Sequence, residues 1–115
     1  MAWSSDSVKD EIVAHPLLDI QGLKTYFHTD NGVVKAVDDI SIRIGEGETL
    51  GVVGESGSGK SMTAYSMLKL LPSQTGRIEG GKIMWRGEDG VDSDLTGLSE
   101  TQLRKIRGGD IAMIF

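Results

Sequence analysis

Thr49-Leu50-Gly51-Val52-Val53-Gly54-Glu55-Ser56-Gly57-Ser58-Gly59-Lys60-Ser61 is the stretch that decides the fold. Its first half is a continuous apolar run between turn signals. That pattern fits a strand buried on both faces, although periodicity alone does not separate it from a buried helix. Its second half matches G-x-x-x-x-G-K-[ST] at Gly54, Gly59, Lys60 and Ser61. Beyond it Ala64, Met67, Leu68 and Leu71 fall at i, i+3, i+4 and i+7, an amphipathic helical stripe with Pro72 as its stop. The glycine-rich loop therefore joins a strand to a helix, and that context makes the motif more than a chance match.

Each residue type in the loop has a chemical reason. Gly54, Gly57 and Gly59 let successive backbone N–H groups turn towards one anion, and Ser56 and Ser58 serve as small loop residues. A helix beginning near Lys60 adds its unsatisfied N–H groups and positive dipole end. Lys60 would set its ammonium against the β- and γ-phosphates of a nucleoside triphosphate, and the Ser61 hydroxyl would ligate Mg²⁺. The expected ligand is MgATP. The expected cofactor-binding set is Gly54, Glu55, Ser56, Gly57, Ser58, Gly59, Lys60, Ser61 and Met62, with Ser61 as the metal ligand.

Working outward towards the N-terminus, Leu17-Leu18-Asp19-Ile20 and Leu23-Lys24-Thr25-Tyr26-Phe27 read as strand, and Asn31-Gly32 reads as a hairpin turn. Val33 to Val37 is β-prone, and Ile40-Ser41-Ile42-Arg43-Ile44 alternates as a half-buried strand should. These close-set strands predict an antiparallel unit. Residues 1–16 are polar and unpatterned and read as a flexible leader. Towards the C-terminus, Lys82-Ile83-Met84-Trp85-Arg86 reads as a short strand. Ser99 and Gln102 form a capping box, Leu103 and Ile106 face inward, and Gly108-Gly109 ends that helix. Ile111-Ala112-Met113-Ile114-Phe115 reads as a further apolar strand. A carboxylate at the end of a buried strand is expensive to desolvate, so the expectation is the front part of a longer protein.

Composition narrows the function classes. A chain of 115 residues allows one small domain, and 38% apolar with 25% charged residues is ordinary for a globular protein. The net charge of -5 argues against a general nucleic-acid binder, because no basic stripe is available to displace counterions. There is no cysteine, which removes disulfides and thiolate metal sites. No stretch approaches the roughly 20 apolar residues that span a bilayer, and the opening lacks a signal-like apolar core. The expectation is a cytoplasmic protein that meets a membrane only through a partner. The fold class expected is α/β: the start of a mostly parallel P-loop core beside an N-terminal antiparallel β subdomain, incomplete.

With AVDDISIRIGEGETLGVVGESGSGKS, which carries Glu55 inside the loop, and LSETQLRKIRGGDIAMIF in view, the segment from Leu18 to Phe115 resembles the N-terminal half of an ABC transporter ATP-binding subunit. Within that superfamily it is similar to the branch that energises oligopeptide, dipeptide and nickel permeases. The resemblance implies that residues 17–115 are the first part of an ABC-type ATP-binding domain. An aromatic residue of the first strands would stack on adenine, by position Phe27, with Tyr26 as fallback. It implies a glutamine directly after residue 115, then a signature loop, a catalytic glutamate and a switch histidine. None of these is among the 115 residues, so no catalytic residue is named and no transport-coupled hydrolysis is expected from this stretch. The implied partners are transmembrane permease subunits, a second ATP-binding subunit and, indirectly, a substrate-binding protein. The implied place is the inner face of the cell membrane. A non-catalytic nucleotide-binding or interaction module, or another P-loop enzyme such as a small-molecule kinase, are the alternatives.

Several other features have bland readings. Asp92-Ser93-Asp94-Leu95-Thr96-Gly97 begins like a calcium loop but has Leu103 where a bidentate glutamate is needed, and reads as a solvated acidic loop. His15 and His28 lack ligand-spaced partners. Trp3 lies in the leader, and Trp85 is expected to pack near the β unit. Arg104, Lys105 and Arg107 suit the last turn of a helix.

Overall fold

The computed structural model describes residues 2–4, 16–54, 59–71 and 76–114. The elements run β1 (Ala2–Ser4), β2 (Leu18–Thr29), β3 (Gly32–Ile44), β4 (Gly51–Val53), α1 (Lys60–Met67), β5 (Gly76–Arg86), β6 (Asp92–Asp94), a 3-10 turn (Leu95–Gly97) and α2 (Glu100–Ile106). A four-stranded antiparallel sheet has the order β3-β2-β5-β6, and β1 pairs with β4 in a separate two-stranded ribbon. The ribbon places a strand within the stretch read as leader. The rest of that leader, residues 5–15, lies outside the described residues, and His15 with it.

The β2–β3 hairpin forms where the sequence places it, with differences in detail. Asp30 and Asn31 make the connection, and Gly32 opens β3 carrying the positive φ of 120°. The two strands expected at 33–37 and 40–44 are one, because Asp39 at φ 61° takes up a residue as a bulge and the ladder continues past it. A parallel irregularity sits at Gly22 (φ 56°) in β2 and at Gly81 (φ 88°) in β5. These shifts decide which face each side chain takes. Ile20 and Leu23 are three apart and would point to opposite faces of a regular strand, yet both are fully buried. Val37 and Ile40 in β3, and Ile78 and Ile83 in β5, are likewise an odd number apart and share the core face. A Cβ on Gly81 would stand 2.5 Å from the Gly22 carbonyl oxygen, so the crossing of the irregularities requires glycine there.

The core gathers Leu18, Ile20, Leu23, Val37, Ile83 and Leu95, with Met62 and Met67 of α1, Trp85 and Ile106 packed against it. It belongs to the antiparallel sheet. The expectation of a doubly buried strand at 49–53 is corrected: Gly51 and Val53 are exposed, Val53 by 63%, and Val52 is half-buried. The reason is that β1 is the strand beside β4 among the described residues, and one antiparallel neighbour covers no face. The last apolar run is corrected too. Ile111 makes an isolated parallel bridge to Arg107, residues 112–114 form no strand, and Ile114 is 98% exposed. Phe115 lies outside the described residues.

α1 ends before its expected stop. Lys69 takes φ 52°, its N–H bonds the Ser66 carbonyl at 3.2 Å, and the Leu70 N–H bonds the Tyr65 carbonyl at 2.8 Å. This pair of reverse bonds closes a helix without proline, here with lysine in the place glycine usually takes. Pro72 lies outside the described residues. At α2 the capping box forms as read: Ser99 Oγ accepts from the Gln102 N–H at 3.3 Å, and Gln102 Oε1 accepts from the Ser99 N–H at 2.9 Å.

The acidic run is structural. Asp94 Oδ1 accepts from the Thr96 N–H at 3.1 Å, the Thr96 hydroxyl at 2.7 Å and the Ile83 N–H at 3.3 Å. Partial burial opposes its charge, yet these hydrogen bonds outweigh it and hold the carboxyl below the usual carboxylate range. Asp94 thereby pins the turn that delivers Leu95 to the core.

Candidate functional site

Gly59 occupies the N-cap of α1 with φ 95° and ψ 3°, a left-handed conformation that few residues with a Cβ adopt. Space makes the same demand: a Cβ there would lie 2.6 Å from the Ala36 carbonyl oxygen of β3. The start of the helix is thus pressed directly on the antiparallel unit. The Thr63 N–H closes the first turn on the Gly59 carbonyl at 2.9 Å, and the Thr63 hydroxyl bonds the same oxygen at 2.8 Å. The N–H groups of Lys60, Ser61 and Met62 precede that closure and have no acceptor within the helix.

Lys60 and Ser61 are the first two residues of α1. The Lys60 ammonium bends back and donates to the Gly54 carbonyl, bridging the two ends of the loop. Gly54 and Ser61 are exposed, and Lys60 is half-buried. No acidic side chain stands in the first turn to offset the positive helix end. Met62 packs its side chain on the core, so only its backbone N–H is placed to meet an anion. Glu55, Ser56, Gly57 and Ser58 lie outside the described residues.

The two aromatic candidates separate cleanly. Strand alternation puts Phe27 on the face of Thr25, whose hydroxyl touches Ser66 of α1, so Phe27 shares the side of the sheet that carries the helix. Its cross-strand partner is Gly76, where a Cβ would fall 2.7 Å from the ring, so glycine makes room for it. Tyr26 turns to the other face. Its hydroxyl donates to Asp38 at 2.6 Å, and Lys35 Nζ stands 5.5 Å from its ring centre. The hydrogen bond to Asp38, with minor desolvation and the nearby carboxylates, raises its pKa. His28 pairs with Glu79.

Two groups near the site were not singled out by the sequence. The buried Thr25–Ser66 hydroxyl contact, at 2.7 Å, escapes a search for apolar periodicity because both residues are polar. Arg107, read only as a charge suited to a helix end, reaches another helix: its Nε and Nη2 donate to the Leu68 carbonyl at the end of α1, at 3.0 and 2.6 Å. Its Nη1 meets Glu100 at 2.5 Å, and this hydrogen bond is the main cause of the lowered Glu100 pKa. Lys69 Nζ donates to the Leu98 carbonyl at 3.1 Å, a second tie between α1 and the α2 region.

This geometry is a glycine-started helix that opens on lysine and serine after a strand and loop. A family model described as ABC transporter matches residues 37–114, most of the chain. The chain belongs to the ABC transporter family. Its α/β fold is therefore that of a P-loop NTPase, and the family is nucleotide-binding, generally with Mg²⁺. The chain is 47% identical over 100 residues to the "Putative peptide import ATP-binding protein" of Brucella abortus (strain 2308), covering 87% of this chain and 30% of that protein. It is 46% identical over 99 residues to the "Probable peptide ABC transporter ATP-binding protein y4tR" of Sinorhizobium fredii, covering 86% of this chain and 28% of that one. The chain thus spans less than a third of the length of these relatives. Among the described residues no helix is long and apolar enough to cross a membrane.

Proposed function

We propose that residues 17–115 are the phosphate-holding portion of the ATP-binding subunit of an ABC importer, with peptides rather than nickel as the transported class. The reading rests first on the Gly59 junction, which sets Lys60, Ser61 and three helix-terminal N–H groups at one point. The names of the two relatives, both concerned with peptide transport, favour peptides. In this reading Lys60 holds the β- and γ-phosphates of ATP, Ser61 ligates Mg²⁺, and Gly54, Glu55, Ser56, Gly57, Ser58, Gly59 and Met62 supply the surrounding loop. Bound Mg²⁺ would neutralise charge between the two terminal phosphates. Phe27, on the helix side of the sheet, is the base-stacking residue in preference to Tyr26, whose ring and hydroxyl are engaged on the opposite face.

The residues present bind and orient. Activation of water for in-line attack needs a positioned base or polarising side chain, and none of the site residues has that role. In the full-length subunit two such domains close on ATP and drive permease subunits at the inner face of the membrane, supplied indirectly by a substrate-binding protein. The test is equilibrium binding of a fluorescent ATP analogue to the unmutated chain and to Lys60→Ala, with and without Mg²⁺. Binding is expected to weaken at least about tenfold in the variant, the loss of one charge-assisted contact of about 1.5–3 kcal/mol. Equal affinity in both would exclude the phosphate role of Lys60.

A further inference from the structure

Among the described residues, the seam between α1 and the sheet holds a buried polar join. Ser66 in the helix and Thr25 in β2 are both buried, with hydroxyl oxygens 2.7 Å apart. Ser66 Oγ also donates to the Met62 carbonyl at 2.6 Å. A serine hydroxyl carries one hydrogen, so the hydrogen between the two oxygens comes from Thr25. A directed bond therefore runs from the strand into the helix. One turn earlier, the Thr63 hydroxyl bonds the Gly59 carbonyl, so the buried side of α1 carries hydroxyl contacts up to the residue where the phosphate loop ends. Two residues beyond Thr25, on the same face of β2, stands Phe27.

The surrounding contacts of Leu23, Val37, Met62 and Met67 hold helix and sheet together but are non-directional, and thioether side chains adapt to small displacements. A hydrogen bond between two buried hydroxyls does not, since it weakens steeply with distance and angle. We propose that Thr25 is a positioning residue: by donating to Ser66 it fixes α1 at one setting against the strand that bears Phe27. The phosphate end and the base end of one nucleotide are then engaged together. This inference rests on the nucleotide-binding reading above and adds to it a residue that touches no ligand.

The test compares two ligands on three forms of the chain. Affinities for MgATP, which meets both ends of the site, and for magnesium tripolyphosphate, which meets only the helix end, are measured by titration calorimetry for the unmutated chain, Thr25→Val and Thr25→Ser. Far-ultraviolet circular dichroism checks the fold of each. Thr25→Val keeps the shape and removes the donor. Its affinity for MgATP is expected to fall about three- to tenfold, the effect of one net hydrogen bond, while its tripolyphosphate affinity stays unchanged. Thr25→Ser keeps the hydroxyl and is expected to restore MgATP binding. Equal losses for both ligands, or no loss for MgATP, would overturn the positioning role. Should Thr25→Val not fold, Thr25→Cys, a weaker donor of similar size, is measured with the same two ligands, and equal losses there overturn the role as well. An unmutated chain that binds neither ligand overturns the nucleotide reading itself, an outcome distinct from failure of the Thr25 link.

Discussion

Leu23 and Ile83 on the antiparallel sheet have no solvent exposure, whereas Val53, just ahead of the phosphate loop, is 63% exposed and Ile114 is 98% exposed. Both regions are rich in the same residue types. The difference lies in neighbours. The sheet strands each find pairing partners and a second layer made by α1 and the turn at Leu95, so their side chains are covered on the core side. β4 has only β1 beside it among the described residues. Hydrophobic stabilisation follows area removed from water, so the antiparallel unit carries the stability of this chain and the phosphate segment leans on it at Gly59 and Ser66.

The most severe way to break this contrast is within the closed region. Leu23→Ala is expected to destabilise the chain by about 2–5 kcal/mol, read from urea unfolding, because the cavity it leaves is walled on all sides. Next comes the junction. Gly59→Ala forces a Cβ into a left-handed conformation and against the Ala36 carbonyl, and is expected to cost about 1–3 kcal/mol while abolishing the Mg²⁺-dependent part of ATP-analogue binding. Gly47→Ala, also at positive φ but with nothing nearby, should show the smaller strain alone.

Asp94→Ala sharpens the comparison through pH. Loss of the three hydrogen bonds is expected to cost about 1–2 kcal/mol at neutral pH. The folded carboxyl titrates below its ordinary 3.8, so its contribution is present above that value and is lost as pH falls through the lower folded value. The stability gap between Asp94→Ala and the parent, followed by denaturant midpoints from pH 7 downward, should therefore hold steady to about pH 4 and narrow in stronger acid. The smallest effect belongs to the open region. Val53→Ala is expected to fall within about 0.5 kcal/mol of the parent, and a cost near that of Leu23→Ala would show that β4 is covered after all.

The elements with local signatures were legible in the sequence. The Ser99 capping box, the hairpin near Gly32 and the helix opening at Lys60 each depend on a few adjacent residues, and those residues state their conformation. Burial was less legible. The run Thr49-Leu50-Gly51-Val52-Val53 has the composition of a covered strand, but covering depends on what packs beside it, which a local pattern does not contain. The face of α1 shows the same limit from the other side. Counting apolar residues selected Ala64 and Leu71, both only half-buried, and passed over Thr63 and Ser66, which are buried because their hydroxyls return to the helix's own carbonyls. Phe27 and Tyr26 could be told to face opposite ways from strand alternation alone; which of them faces the helix needed the Thr25–Ser66 contact.

The aligned irregularities at Gly22, Asp39 and Gly81 govern how this sheet can change over generations. Loss of the Gly22 codon would leave Ile20 and Leu23 two apart, the same-face spacing of a regular strand, whereas loss of the Lys24 codon, between the buried Leu23 and Thr25, would invert the facing of every residue on one side of the gap. Restoring the pattern would take a second insertion or deletion in the same strand. Substitutions can accumulate along these strands one at a time, but length changes within their regular stretches must arrive in compensating pairs, so single-residue gaps among variants of this chain should fall in the connections or at the irregularities instead.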